Sequence, residues 1–193
     1  MVAGSRCLRL FLKERTMEGF TMELGDMNIV HKAQVYAMAA HASVQQKRKY
    51  TGEPYIVHPA EVASIVASVP GSTEDMVAAA WLHDVIEDTG CTFTDVHMAF
   101  GIDIATIVGW LTDVSKPTDG NRATRKAMDR EHTAQAPAEA QTIKLADLIS
   151  NSRSIMAHDP EFAKTYLAEK RMLLEVMTKG DRGLHAEASK YVY

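Results

Sequence analysis

The sequence predicts an all-α fold, a single helical domain of about eight helices. Apolar residues recur every three or four positions along most of the 193 residues, which is the period of an amphipathic helix. Gly and Pro separate the periodic segments, and PYIVH at residues 54–58 is the one short β-like piece. With 46% hydrophobic residues, the chain can bury the core of one domain and leaves little room for a second.

The predicted helices of the first part of the chain cover residues 27–46, 59–69, 73–90, 92–100 and 102–114. Pro59 suits the first turn of a helix, where a missing N–H costs little. Ser72 or Thr73 can cap the next helix, whose acidic first turn agrees with the helix dipole. Thr92 and Asp95, three residues apart, predict a capping box. These local signals fix the helix starts.

Three further helices are predicted over residues 122–133, 137–157 and 160–179. Asp159 followed by Pro160 predicts an N-cap with proline at the first helical position. The domain is therefore expected to cover residues 28–180, followed by a C-terminal tail at 181–193. Residues 1–27 are expected to be a poorly ordered or over-extended start, because Arg9 interrupts their apolar patch and no cleavage site follows.

Bulk properties exclude several classes of protein. The formal charge is −4, which does not indicate the basic surface of a nucleic-acid-binding protein. No apolar run approaches the ~20 residues that a membrane span needs. The two cysteines have no metal-type or redox-type spacing, which favours a reducing, cytoplasmic location.

The stretch AAWLHDVIEDTG joins an apolar helix to four ionisable side chains, those of His83, Asp84, Glu87 and Asp88. At ~100° per residue these side chains fall within an arc of ~140° on one helix. Three acids and an imidazole packed so closely need a neutralising charge. A divalent metal is the simplest source of that charge.

Two further polar residues interrupt apolar segments. Asp147 lies on a helical stripe with Lys144, Asn151 and Ser154, among aliphatic neighbours. His58 precedes Pro59 at the start of an apolar helix. Taken singly, each of these residues is more simply explained as a capping, surface or loop residue. Together with the ionisable stretch at residues 83–88 they make three polar interruptions of apolar helices, and that number favours a functional site. Two imidazoles and two carboxylates suit Mn²⁺, Fe²⁺ or Zn²⁺, with open positions for water and a phosphate oxygen.

Four ordered motifs carry a family resemblance, and they read RKYTGEPYIVHP, WLHDVIEDT, FG and IKLADLISNSR. The chain resembles the HD-domain metal-dependent phosphohydrolases over residues 28–176, most of its length. Within them it is most similar to the alarmone hydrolase branch, which contains the hydrolase domains of the RelA/SpoT enzymes and small stand-alone alarmone hydrolases. Two departures are Trp81, where an aliphatic residue is common, and a small insertion without glycine between His41 and Gln46.

The resemblance implies a role for each residue of these motifs. The implied metal ligands, most simply for Mn²⁺, are His58, His83, Asp84 and Asp147. The acidic pair Glu87 and Asp88 would orient or activate the attacking water. The implied substrate-binding residues are Arg48 and Lys49 at the base and phosphates, Asn151 near the ribose, and Lys144 in contact with substrate or in support of the site. His41 and the other five histidines are expected to be structural or solvent-facing.

The implied reaction is removal of the 3′-pyrophosphate from guanosine alarmones, (p)ppGpp, giving GDP or GTP and pyrophosphate. A hydrolase without synthetase activity is expected, since 193 residues leave no room for a synthetase domain. Hydrolysis of (p)ppApp or of another 2′- or 3′-phosphorylated nucleotide stays open, as does a non-catalytic, antitoxin-like binding role. The expected partner is a small purine nucleotide, with no nucleic acid and no membrane, and a homo-oligomer stays open.

Overall fold

The computed structural model describes residues 27–193, and within them every regular element is an α-helix. The helices in chain order are α1 (Ile29–Ser43), α2 (Val57–Ala67), α3 (Glu74–Leu82), α4 (Val85–Thr89), α5 (Phe93–Phe100), α6 (Ile102–Leu111), α7 (Arg122–Gln135), α8 (Ala138–His158), α9 (Pro160–Val176) and α10 (Arg182–Val192). The all-α prediction is confirmed. The expectation of a poorly ordered start covers residues 1–27, of which residues 1–26 lie outside the described range.

The predicted helix caps are present. The Thr73 hydroxyl accepts a hydrogen bond of 3.2 Å from the Met76 N–H and starts α3. Thr92 and Asp95 form the predicted capping box of α5. Asp159 accepts from the Phe162 N–H at 3.2 Å, with Pro160 as the first residue of α9. Local sequence signals therefore set these starts correctly.

The third predicted helix differs from the structure. The helix expected over residues 73–90 divides into α3 and α4, because the backbone of Asp84 turns to φ −102° and ψ −2°. At the break, Nδ1 of His83 lies 2.8 Å from the carbonyl oxygen of Ala80 and satisfies this helix-end acceptor. The break redirects His83 and Asp84 relative to a continuous helix.

The core forms around α3. The side chains of Ala78, Ala79 and Ala80 are fully buried, so neighbouring helices approach this element closely. Helix α3 contacts α1, α2, α6 and α8. Because α3 leads directly to His83, the same packing that buries the alanines fixes the position of this histidine.

Helix α8 lies between two parts of the core. Its Ile143 and Ala146 belong to the cluster around α3, whereas Leu148 belongs to a second cluster with α9 and α10. Residues 182–192, expected as a tail, form α10 and bury Ala188 and Val192 in that second cluster. Burial on both sides holds α8 rigidly and leaves a narrow polar stripe that carries Asp147.

None of the helices within residues 27–193 combines the length and the apolar character that crossing a membrane requires.

Candidate metal centre

Two buried imidazoles face each other at the centre of the site. His58, at the start of α2, and His83, at the end of α3, are 1% and 2% exposed, and their Nε2 atoms lie 3.3 Å apart. Nδ1 of His83 donates to the Ala80 carbonyl at 2.8 Å. Ser150 donates its hydroxyl hydrogen to Glu61, so Nδ1 of His58 donates to Ser150 Oγ at 2.9 Å. In the neutral rings both Nε2 lone pairs therefore point into the same space.

Two carboxylates complete this group. Asp84 Oδ2 lies 2.9 Å from Nε2 of His83 and 3.7 Å from Nε2 of His58. Asp147 Oδ1 lies 3.1 Å from Nε2 of His58 and 3.9 Å from Nε2 of His83. The donor atoms of His58, His83 and Asp84 thus lie within 4.8 Å of one another, and Asp147 Oδ1 lies beside the same two imidazole nitrogens.

Both carboxylates are oriented by neutral donors. The Tyr55 hydroxyl donates to Asp84 Oδ2 at 2.6 Å, and the Asn151 amide donates to Asp147 Oδ1 at 2.6 Å. Partners of this kind fix the rotamers of metal-binding carboxylates in known metal sites. Each carboxylate keeps its second oxygen for another contact.

The electrostatics of the group favour a positive charge. Burial disfavours the imidazolium of His83, but the adjacent Asp84 carboxylate outweighs it and raises the pKa of His83 to about 9. Burial also works against ionised Asp84 and Asp147, yet contacts with the two histidines hold the pKa of both carboxyls well below the usual range. Converging lone pairs and stabilised carboxylates fit a divalent cation, and a mixed nitrogen and oxygen set suits transition metals.

Glu87 and Asp88 lie one helical turn beyond Asp84, on α4. Glu87 Oε1 accepts a hydrogen bond of 2.5 Å from the backbone N–H of Asp113. Desolvation, reinforced by Asp113 and opposed by Lys144, raises the pKa of Glu87 to about 7. Asp88 is exposed, and its Oδ2 accepts from the Gln46 amide at 2.8 Å. Both side chains are exposed, and they differ in their hydrogen-bond partners, a backbone N–H for Glu87 and a side-chain amide for Asp88. A carboxyl with a pKa of about 7 can exchange a proton at neutral pH, which makes Glu87 the candidate base.

The predicted substrate-binding residues divide into two groups. Arg48 reaches the site, since its guanidinium lies 3.5 Å from Oδ1 of Asn151 and packs over the Tyr55 ring. Lys49 points elsewhere: its ammonium is exposed, lies 3.5 Å from Asp159 and sits over the Tyr50 ring. The structure therefore brings Arg48 and Asn151 together, and places Lys49 at the junction of α8 and α9.

Lys144 lies on the opposite side of Asp147 from Asn151. Its ammonium donates to the Leu111 carbonyl at 3.2 Å and lies 3.9 Å from Asp113. Burial favours the neutral amine, but Asp147, Asp113 and Glu87 outweigh it and raise the pKa of Lys144. Lys144 is therefore a fixed cation between the acids of α4 and the carboxylate of α8.

His41 and Gln46 belong to the site, although no pattern in the sequence grouped them with it. His41 is only 2% exposed, and its Nδ1 lies 2.7 Å from Gln46 Oε1. Because the Gln46 amide donates to Asp88, Gln46 Oε1 accepts from His41, which fixes the ring as the Nδ1–H form. Of the two expected settings for His41, the structure shows the buried, structural one. Both residues come shortly before Arg48 in the sequence, and this proximity is the feature that could have linked them to the site.

Comparisons with known proteins identify the family of this chain. Residues 33–174 match the HD domain family. The guanosine-3′,5′-bis(diphosphate) 3′-pyrophosphohydrolase MESH1 of Xenopus tropicalis is 34% identical over 77% of this chain and 83% of its own length. The corresponding Drosophila melanogaster protein is 36% identical over 63% of this chain and 68% of its own. A probable enzyme of that name from Synechocystis is 35% identical over 69% of this chain, which spans only 17% of that protein.

A solved structure of similar fold supports the same family assignment. It is described as "A metazoan ortholog of SpoT hydrolyzes ppGpp and plays a role in starvation responses" and superimposes with a TM-score of 0.75 at 27% identity. The superposition covers 86% of this chain and 94% of the other. The family match spans most of the chain and includes His58, His83, Asp84 and Asp147. This chain therefore belongs to the HD-domain family.

Proposed function

We propose that this protein is a divalent-metal-dependent hydrolase that removes the 3′-pyrophosphate of guanosine alarmones. The products are GDP from ppGpp or GTP from pppGpp, together with pyrophosphate. The observation that carries the proposal is the convergence of two imidazole nitrogens and two carboxylate oxygens in a family whose similar members are named for this reaction.

His58, His83, Asp84 and Asp147 are the proposed metal ligands, and Mn²⁺ is the proposed metal. Imidazole nitrogens and carboxylate oxygens are donors that suit Mn²⁺. The group contains no thiolate, the donor typical of structural zinc sites. When bound, the cation neutralises phosphate charge and acidifies an attacking water. Tyr55 and Asn151 hold the two carboxylates in the required orientation.

Glu87 is the proposed general base. Its carboxylate takes a proton from the attacking water while the water oxygen forms a bond to the phosphorus attached to O3′. The P–O3′ bond breaks, its electron pair stays on O3′, and O3′ takes up the proton that Glu87 accepted, directly or through solvent, to give the free hydroxyl. A base with a pKa of about 7 is half ionised near neutral pH, which suits this role.

Asp88 is the proposed orienting acid. Its carboxylate is fixed by the Gln46 amide and remains exposed, so it can accept a hydrogen bond from the water that Glu87 deprotonates. Lys144 stays protonated between Glu87 and Asp147 and offsets the negative charge of the pyrophosphoryl group under attack.

Arg48 and Asn151 are the proposed nucleoside contacts. The Arg48 guanidinium is planar and already lies against an aromatic ring, so its free face can stack on a purine. Asn151 lies one turn from Asp147 and can reach a ribose hydroxyl. Lys49 is proposed as a phosphate contact, which requires its ammonium to leave Asp159 when substrate binds.

A product assay tests the proposal. Protein stripped of metal is incubated with ppGpp or ppApp, with and without Mn²⁺, and the products are separated by anion exchange. We expect Mn²⁺-dependent formation of GDP and pyrophosphate from ppGpp. Turnover of ppApp alone would assign the activity to adenine alarmones. Bound metal without turnover of either nucleotide would contradict the proposal.

A further inference from the structure

A second polar recess lies beside Glu87. It is formed by the segment after α6 and the first two turns of α7, and its charged lining residues are Glu87, Asp113, Arg122, Arg125 and Lys126. The Nε atom of Arg125 is buried and has no hydrogen-bond partner within residues 27–193. The side chain as a whole is partly exposed, so the rest of its guanidinium can reach an anion in the recess. A buried N–H without a partner is costly, and a bound anion would stabilise this guanidinium.

The other two cations of this recess already have carboxylate partners. Lys126 lies 2.9 Å from Asp113 and 3.3 Å from Asp129. Arg122 forms a bidentate pair with Glu169, at 2.6 and 2.8 Å. Arg125 has no ion pair of this kind within the described part of the chain. The recess therefore holds three cations against two carboxylates, and one guanidinium is free to bind an anion.

The recess lies on a definite side of the candidate metal centre. Along α8, Lys144 precedes Asp147 by three residues and Asn151 follows it by four, which corresponds to about 4.5 and 6 Å along the axis. Asn151 contacts Arg48 on the proposed nucleoside side. Lys144 lies 3.9 Å from Asp113, which lines the recess. The metal centre thus separates the nucleoside side from the recess.

We propose that this recess is the subsite for the terminal phosphate of the 3′-pyrophosphate group, and that Arg125 binds that phosphate. The inference rests on the proposed function, because it takes the phosphorus under attack to lie at the metal centre. In a nucleoside 3′-pyrophosphate the second phosphate extends away from the ribose, and here that direction leads past Lys144 to Arg125. A guanidinium matches two phosphate oxygens at once.

The subsite assigns a specificity role to Arg125. A nucleoside 3′-monophosphate has no group to place in the recess, whereas a 3′-pyrophosphate gains a charge-assisted contact there. The preference for a 3′-pyrophosphate over a 3′-monophosphate substrate should therefore depend on Arg125. Asp113 does not oppose this contact strongly, because Lys126 and Lys144 both lie near its carboxylate.

The kinetic test compares Arg125→Gln, Arg125→Lys and the wild type on two substrates, ppGpp and guanosine 5′-diphosphate 3′-monophosphate. We expect Arg125→Gln to reduce the ratio of kcat/KM for the pyrophosphate to that for the monophosphate by about 10- to 100-fold. Arg125→Lys should recover part of the ratio. Arg182→Gln, at an exposed position that starts α10, is the matched control. An equal loss on both substrates, or no loss, would overturn the proposal.

A binding measurement separates this inference from the proposed function. Calorimetric titration of the Mn²⁺-loaded protein with inorganic pyrophosphate, and with orthophosphate as the reference, needs no turnover. We expect pyrophosphate to bind about 10-fold or more weakly to Arg125→Gln than to the wild type, with a smaller change for orthophosphate. Absence of alarmone hydrolysis together with this binding loss would reject the function and retain the subsite. Unchanged pyrophosphate binding would reject the subsite.

Discussion

The Nε2 atoms of His58 and His83 lie 3.3 Å apart, and the Nδ1 atom of each ring is already hydrogen-bonded to the protein. Two neutral imidazoles in this arrangement direct lone pairs at each other. The repulsion is removed when a proton or a metal cation lies between them, and Asp84 and Asp147 stabilise either one. The side chains around this pair determine how well a metal is held and how the chemistry beside it proceeds.

Tyr55→Phe tests the support of Asp84. The substitution removes the hydroxyl that donates to Asp84 Oδ2 at 2.6 Å and keeps the ring against Arg48. We expect Mn²⁺ affinity to fall by about 10- to 100-fold, the usual effect of losing a partner of a metal-binding carboxylate. Calorimetric titration with Mn²⁺ measures this change. Tyr191→Phe, on α10, is a matched control, and an equal loss in both variants would reject a specific role for Tyr55.

Glu87→Gln tests the general base. The amide keeps the size of the side chain and can still accept a hydrogen bond from the Asp113 N–H, but it cannot take a proton from water. We expect kcat for ppGpp to fall by about 10²- to 10⁴-fold, with Mn²⁺ binding retained. Steady-state kinetics and metal titration measure the two quantities. Full activity in this variant would assign the base to another residue.

The raised pKa of Glu87 also predicts a pH dependence of stability in the metal-free protein. Between the ordinary pKa of 4.5 and the folded-state value of about 7, the folded state keeps a proton that the unfolded state releases. Stability therefore falls as the pH rises through this window. The amide introduced by Glu87→Gln does not titrate. The melting temperature of this variant minus that of the wild type should therefore increase as the pH rises from about 5 to about 8. A constant difference would contradict the pKa shift.

Gln46→Ala tests the support of Asp88. Gln46 joins buried His41 to Asp88, through contacts of 2.7 and 2.8 Å. Without the amide, Asp88 loses its orientation, and we expect kcat to fall by about 10-fold with little change in KM. Gln34→Ala, elsewhere on α1, is the control. If Gln46→Ala raised KM and left kcat intact, Gln46 would instead belong to substrate binding.

Much of the fold followed from local signals. The caps at Thr73, Thr92 and Asp159 are set by side-chain hydrogen bonds to residues three positions away, so a single sequence contains the information. The motifs also grouped His58, His83, Asp84 and Asp147 into one site. The structure brings their donor atoms together, and their role as ligands stays a prediction.

Other features depend on contacts between distant residues. The contact between Gln46 and Asp88 joins positions 42 residues apart, and the contact between Tyr50 and Asp159, which holds the loop of Lys49, joins positions 109 apart. The break at Asp84 lies in a segment whose helical period continues through it, so the sequence pattern conceals it. Burial of α10 depends on an apolar surface formed by α8 and α9.

The most direct test of the metal centre is a titration of activity with metal. Metal-free wild type and Asp84→Ala receive increasing Mn²⁺ while release of pyrophosphate from ppGpp is followed, with Glu131→Ala, at an exposed position of α7, as the control. We predict that activity in the wild type and the control rises from zero and saturates at one Mn²⁺ per chain, and that Asp84→Ala stays inactive. Equal activity without Mn²⁺, or full activation of Asp84→Ala, would contradict a catalytic metal held by His58, His83, Asp84 and Asp147.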